Sequence, residues 1–228
     1  MTRDDFLKLL PELVKDYQPQ PEALARIANV DLLMVVGATG VGKTSIIKRL
    51  DIPFVITDTT RPARPEEIDG SDYNFRTDYD QVVADVKARK FVQVAIGPAG
   101  DFYATQAIAY PEVGFAVYAI VSDVIPQFRR LGFNEVISAF ITPPDFLEWM
   151  SRIDRHNNES DQLAQRLDEA KRSFNFALND KLTHFILNDD LDMAVRQTEM
   201  LLNGKTDSVR ESQARQSAER IYKELTFA

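Results

Sequence analysis

The run Gly37-Ala38-Thr39-Gly40-Val41-Gly42-Lys43-Thr44 fits the pattern G-x-x-x-x-G-K-[ST], and each residue type in it has a task in holding phosphate. The glycines let the backbone turn tightly and aim successive N–H groups at phosphate oxygens. A helix opening at Lys43 adds its positive N-terminal end. The Lys43 ammonium reaches the β- and γ-phosphates, and the Thr44 hydroxyl is placed for Mg²⁺. At ordinary residue frequencies a chain this long meets the pattern by chance on the order of one time in a hundred or less. The expected ligand is a nucleoside triphosphate, held from Gly37 through Ser45. Arg61 and Arg64, three apart and followed by Tyr73, form a fork able to hold a doubly charged monophosphate by charge-assisted hydrogen bonds.

The whole segment from Thr59 to Phe75, TTRPARPEEIDGSDYNF, resembles the guanylate kinase signature T-T-R-x-x-R-x-x-E-x-x-G-x-D-Y-x-F. Phe102-Tyr103-Ala104-Thr105 is similar to the family's Y-Y-G-[ST], and Ile141-Thr142-Pro143-Pro144 to its I-x-P-P. Arg155 and Arg166 are eleven apart, as are two lid arginines of the family. Leu187-Asn188-Asp189-Asp190-Leu191-Asp192 resembles V-N-D-D-[LF]-D. Together the likeness spans about residues 32 to 202. It implies transfer of the γ-phosphoryl of ATP to GMP or dGMP, with Mg²⁺. It also implies roles: Lys43, Arg155 and Arg166 catalytic; Asn188 by the adenine; Arg61, Arg64, Tyr73 and Tyr103 on the acceptor phosphate; Thr57, Gln93, Thr105 and Ser122 around the acceptor nucleotide. Phosphoryl transfer needs alignment and positive charge more than covalent help, and lid closure would keep water out.

The departures from the family pattern gather at the acceptor base and the metal. Gln93 stands where the family has a glutamate that accepts from both guanine donors. An amide offers one acceptor and one donor, and a donor facing a donor costs roughly 1–3 kcal/mol. A donor–acceptor pair suits an adenine-like edge. The two acids of the family's D-x-D fall on Ile120 and Ser122 by spacing back from Ile141. Asp123 would replace one only by a register slip that turns its side chain to the other strand face. Ala104 replaces a glycine, and the first lid arginine falls on Ser151, beside Arg152. Two further readings stand beside a GMP kinase: a kinase of another or less selective nucleoside monophosphate, and a catalytically weak binding module on the same fold. A nucleotide-gated switch using the N-terminal arm is a fourth.

Alternating elements must position these residues. Leu32 to Val36 is a short apolar run of the kind buried on both faces in a parallel sheet. A helix follows the glycines, then a strand over 51–56 and a polar, proline-rich loop from 57 to about 72. Further strands are expected at 91–96, 115–121, 136–141 and 183–187, and helices at 81–90, 145–177 (broken near His156) and 191–202. The pattern predicts an α/β fold of three layers with a parallel core sheet. It comprises an N-terminal helical extension over 1–30, a guanylate kinase-like domain over 31–206 and a C-terminal helix over 207–228. Within the domain, 58–106 forms a monophosphate-binding insertion and 149–166 a helical lid. Residues 3–16 are amphipathic with a kink or restart expected at Pro11, and Pro21 opens a second helix. This pair is either a partner-binding or homodimerisation arm or a helix pair packed on the core.

The 228 residues carry 27 Lys plus Arg against 35 Asp plus Glu, a net charge of −8. That balance argues against a nucleic-acid or anionic-membrane protein. The absence of cysteine excludes disulfides, thiol catalysis and cysteine-ligated metals. His156 and His184 lack metal-spaced companions. No apolar run is long enough to span a bilayer and no apolar signal core opens the chain, so a cytoplasmic location is expected. Trp149 is read as a packing residue.

Overall fold

The computed structural model describes residues 1–97, 99–154 and 160–227. The chain divides into two compact units. One comprises Met1–Asp31, Pro53–Ala116 and Gln127–Glu135, the other Leu32–Ile52, Val117–Pro126 and Val136–Ala228. The fold is mixed α/β, as the alternation of elements requires.

The first unit opens with α1 (Arg3–Val14), capped by the Thr2 hydroxyl accepting the Asp5 N–H at 3.2 Å. Pro11 does not restart it: one helix runs through Arg3–Val14, and the Pro11 carbonyl accepts the Lys15 N–H. Pro21 does open α2 (Pro21–Ile27), at a position where the missing N–H has no partner to lose. A four-stranded sheet follows, in the order β3 (Tyr73–Phe75), β2 (Thr57–Thr59), β5 (Phe102–Gln106), β4 (Phe91–Ile96). The strand expected at 51–56 is therefore found later, at β2. Pro53 removes a ladder donor there, and residues 51–56 carry only a bridge at Phe54. Helix α4 (Tyr79–Lys87), capped by Asp78, packs with α1 over the back of the sheet. Phe6 and Leu10 join Val82, Val86, Phe91, Phe102 and Ala104 in one core. Helix α1 thus packs into this core, and α2 lies against β4 with Ala23 and Ile27 buried.

The second unit is built on a sheet in the order β6 (Gly114–Ile120), β1 (Val30–Val36), β7 (Glu135–Thr142), β8 (Thr183–Leu187). Strands β7 and β8 run parallel, Ser138 opposite Thr183 through Thr142 opposite Leu187. Residues 32–36 of β1 are fully buried, which is why that strand reads as an unbroken apolar run. Around the sheet lie α3 (Lys43–Ile47), α6 (Phe146–Asp154), α7 (Ser160–Asn179), α8 (Leu191–Leu202) and α9 (Ser208–Phe227). A short α5 (Ile125–Phe128) follows a 3₁₀ turn over Ser122–Val124. Phe140 on β7 meets Phe174 on α7 edge to face at 5.0 Å, and Trp149 on α6 meets the same ring at 5.9 Å. Among the described residues no helix is long and apolar enough to cross a membrane.

Candidate active site

In the second unit the glycine-rich loop leaves β1 at Gly37 and enters α3 at Lys43. Gly42 is left-handed, at φ 98°, and a side chain there would also strike the Asn188 amide. Gly37 lies over β7, where a Cβ would come within 2.8 Å of the Ile141 carbonyl. The loop's carbonyls are tied back. Lys43 Nζ donates to Gly37 O at 2.6 Å and Ala38 O at 2.9 Å, Trp149 Nε1 to Thr39 O at 2.8 Å, and Asn188 Nδ2 to Val41 O at 2.7 Å. Burial of the Lys43 ammonium pulls its pKa from 10.5 to about 8, against the pull of Glu169. Thr44 and Ser45 are exposed at the start of α3, open to a ligand.

Asn188, which the resemblance places by the adenine, therefore braces the loop through its amide nitrogen. Its own carbonyl accepts from Arg152 Nη2 at 3.0 Å, and Arg152 Nε is held by Glu148. Arg166 sits half-buried on α7. Arg155, the other expected lid arginine, lies outside the described residues, as does the break expected near His156. Ser122 is buried, but in the 3₁₀ turn rather than in a strand. Strand β6 ends at Ile120, so strand alternation does not govern Asp123. Its carboxylate accepts the Ser122 hydroxyl at 3.3 Å.

In the first unit, Arg61, Tyr73 and Tyr103 come together. The Arg61 guanidinium lies 4.8 Å from the Tyr73 ring centroid, and the two tyrosine rings are 6.4 Å apart. Glu67 grips Arg61 bidentately, at 2.7 and 2.6 Å. That hydrogen-bonded pairing raises the Arg61 pKa further. Burial pushes the Glu67 carboxyl up, but Arg61 and the Arg64 N–H hold it below the usual range. The fork is asymmetric: the Arg61 side chain is 12% exposed and Arg64 is 71% exposed. Burial, with Tyr103 close by, raises the Tyr73 phenol. Thr57 is buried on β2 opposite Tyr73. Gln93 and Thr105 are cross-strand partners, both buried. Among the described residues the Gln93 Nε2 has no hydrogen-bond partner, an unsatisfied donor of the kind native interiors seldom keep.

Several contributors have no local sequence signal. Gly97 packs beneath Tyr103, and a methyl there would collide with the ring. Asp58, fully buried, receives Asn74, Arg76 and Gln106 at 2.9, 2.5 and 2.7 Å, and Arg76 also reaches Asp85. This buried ionic cluster stiffens β2 under Thr57. Only the spacing of charges across distant segments announces it.

An α/β fold, a glycine-rich loop between strand and helix with its lysine inside, and an arginine–tyrosine anion cluster define a nucleotide-binding phosphotransferase. The particular family is shown by comparison: the Guanylate kinase family model matches residues 29–205, and the chain belongs to that family. A guanylate kinase of Nostoc sp. is 29% identical over 184 residues, covering 76% of this chain and 89% of its own. One from Caulobacter vibrioides is 31% identical over 176 residues, with 72% and 79% covered. The crystal structure of guanylate kinase from Anaplasma phagocytophilum matches with a TM-score of 0.57 at 20% identity, covering 81% of this chain and 90% of that one. That likeness shows the shared fold.

Proposed function

We propose that this chain transfers the γ-phosphoryl group of ATP to GMP or dGMP, giving ADP and the nucleoside diphosphate, as a soluble cytoplasmic enzyme. The observation that carries the reading is the Arg61–Tyr73–Tyr103 cluster on a chain that keeps an intact G-x-x-x-x-G-K-T loop. In this reading the sheet carrying β2 to β5 is the monophosphate-binding insertion and residues 149–166 are the lid. Residues 37–45 cradle the triphosphate, with Lys43 moving from the Gly37 and Ala38 carbonyls to the β- and γ-oxygens. Arg61, already oriented by Glu67 and Tyr73, sets the acceptor phosphate, and exposed Arg64 closes on it. Arg166 and Arg155 neutralise the charge that develops on the transferring group.

The chain's donors fit Mg²⁺. That ion takes one or two protein oxygens plus substrate phosphates and water. The exposed Thr44 hydroxyl is such an oxygen, and among the described residues no group of His, Asp and Glu forms a metal cage of its own. When bound, the ion supplies positive charge across the phosphate oxygens.

Gln93 favours a second reading of base choice. Its buried, unpartnered amide donor seeks an acceptor, which adenine presents beside a donor on one edge. Relaxed selectivity among purine monophosphates follows. The test is ADP release from ATP and Mg²⁺ with GMP, dGMP, AMP, IMP, CMP and UMP, using Lys43→Ala as blank. GMP-dependent turnover is expected. Nucleotide binding without acceptor-dependent turnover would instead identify a binding module.

A further inference from the structure

Residues 1–28 precede the span that the family model matches, yet they are built into the sheet that carries the acceptor residues. Phe6 and Leu10 are fully buried against α4, β4 and β5. Past α1, the Tyr17 hydroxyl donates to the Phe91 carbonyl at 2.8 Å and accepts the Phe91 N–H at 2.9 Å. Strand β4 is at the edge of its sheet, so Tyr17 takes the place that a neighbouring strand would fill. Arg89 ties the same stretch, donating to Gln18 O at 2.6 Å and Pro19 O at 3.0 Å, and its own carbonyl accepts the Gln20 N–H.

The register of β4 breaks where Tyr17 binds. Phe91 lies opposite Gln106, but Gln93 lies opposite Thr105, leaving one extra residue on β4. In an unbroken strand Phe91 and Gln93 would share a face. Instead Phe91 and Val94 both enter the core beneath α1, Val94 opposite Ala104 of the same core. Gln93 and Ala95 turn to the other face, opposite Thr105 and Tyr103. Bulges next to active sites re-aim a side chain in this way.

We infer that Tyr17 is a positioning residue of the acceptor site: by holding both backbone groups of Phe91 it fixes the bulge that turns Gln93 away from the core and toward the acceptor base. The N-terminal extension is thereby part of the acceptor site. The inference rests on the reading of Gln93 as a base-contacting residue.

The test removes the hydroxyl and keeps the ring, since deleting the arm would also remove Phe6 and Leu10 from the core. Acceptor and ATP dissociation constants are measured separately by calorimetry for wild type, Tyr17→Phe, Gln93→Ala and the double variant. Tyr17→Phe is expected to weaken GMP binding roughly three- to tenfold, the loss of one hydrogen-bonded anchor, and to leave ATP binding within about twofold. In the Gln93→Ala background the same substitution should change GMP binding by less than about twofold. Equal GMP affinity for Tyr17→Phe and wild type overturns the inference. So does an equal loss in both backgrounds, which marks a general structural role. Wild-type transfer to an acceptor, measured by ADP release, tests the kinase reading separately.

Discussion

Lys43 illustrates how one residue joins stability to function. Its ammonium is held by two carbonyls of its own loop, and burial brings its pKa to about 8. Phosphate oxygens favour the charged form and raise that value. At pH 8 the free protein is about half protonated at this site and the nucleotide complex fully so, which gives uptake of about half a proton on ATP binding. Calorimetry at pH 8 in buffers of different ionisation enthalpy measures it. The uptake should vanish at pH 6.5 and in Lys43→Met. The sign for folding is the reverse of a paired lysine: with the folded pKa below the unfolded one, the site's contribution to stability rises from about pH 8 to 10.5. At Gln93, substitution by glutamate supplies a second acceptor in place of the unpartnered amide donor. Gln93→Glu is expected to raise the GMP-over-AMP ratio of kcat/KM about tenfold or more, and an unchanged ratio across the nucleotide panel would sink that role.

Elements explain why the glycine-rich loop holds its shape. Its carbonyls at Gly37, Ala38, Thr39 and Val41 are held by Lys43, Trp149 and Asn188, so α3, α6 and the end of β8 share the task. Trp149→Phe keeps the ring between Phe146 and Phe174 but removes the donor to Thr39. The expected result is an ATP KM raised several-fold with the GMP KM unchanged, since a hydrogen bond lost is worth about 1 kcal/mol. Trp149 is the sole tryptophan, so wild-type fluorescence should respond to ATP more than to GMP. Equal KM values in variant and wild type would reduce the contact to packing. The loop itself was legible because its residues are contiguous and their types follow from phosphate chemistry. Trp149 was legible only as a core residue, because a bond across 110 positions leaves no local pattern. The strand misplaced at 51–56 has a similar cause. Val55 and Ile56 supply apolar character, but pairing is decided by β3 and β5, which flank β2 in space. The bulge in β4 was invisible for the same reason: alternation alone puts Phe91 and Gln93 on one face.

At the scale of the whole chain, the family span of 29–205 stops short of both ends, and each end contributes buried residues to its unit. Helix α9 shows Ala214, Ser217, Ala218 and Ile221 buried at helical spacing. The Ser217 hydroxyl lies 2.8 and 2.6 Å from the Pro143 and Pro144 carbonyls, just before α6. Arg210 donates to the Leu187 carbonyl at 3.2 Å and Glu211 faces His184 at 3.0 Å, so α9 also holds the end of β8 that leads into Asn188. Apolar periodicity revealed this helix from sequence, whereas its partners on β8 and α6 could not be read from one helix's pattern. Burying Ile221 alone is worth about 1.5–3 kcal/mol, and leaving the Pro143 and Pro144 carbonyls without their donor adds about 1 kcal/mol or more. A chain ending at residue 206 is therefore expected to lose more than about 2.5 kcal/mol in urea unfolding. Ser217→Ala, which keeps the apolar stripe, should lose only about 0.5–1.5 kcal/mol. The larger loss with the smaller one nested inside it means that α9 completes the core of the second unit. An unchanged urea midpoint for the truncated chain would make α9 an appendage whose buried stripe contributes nothing to folding.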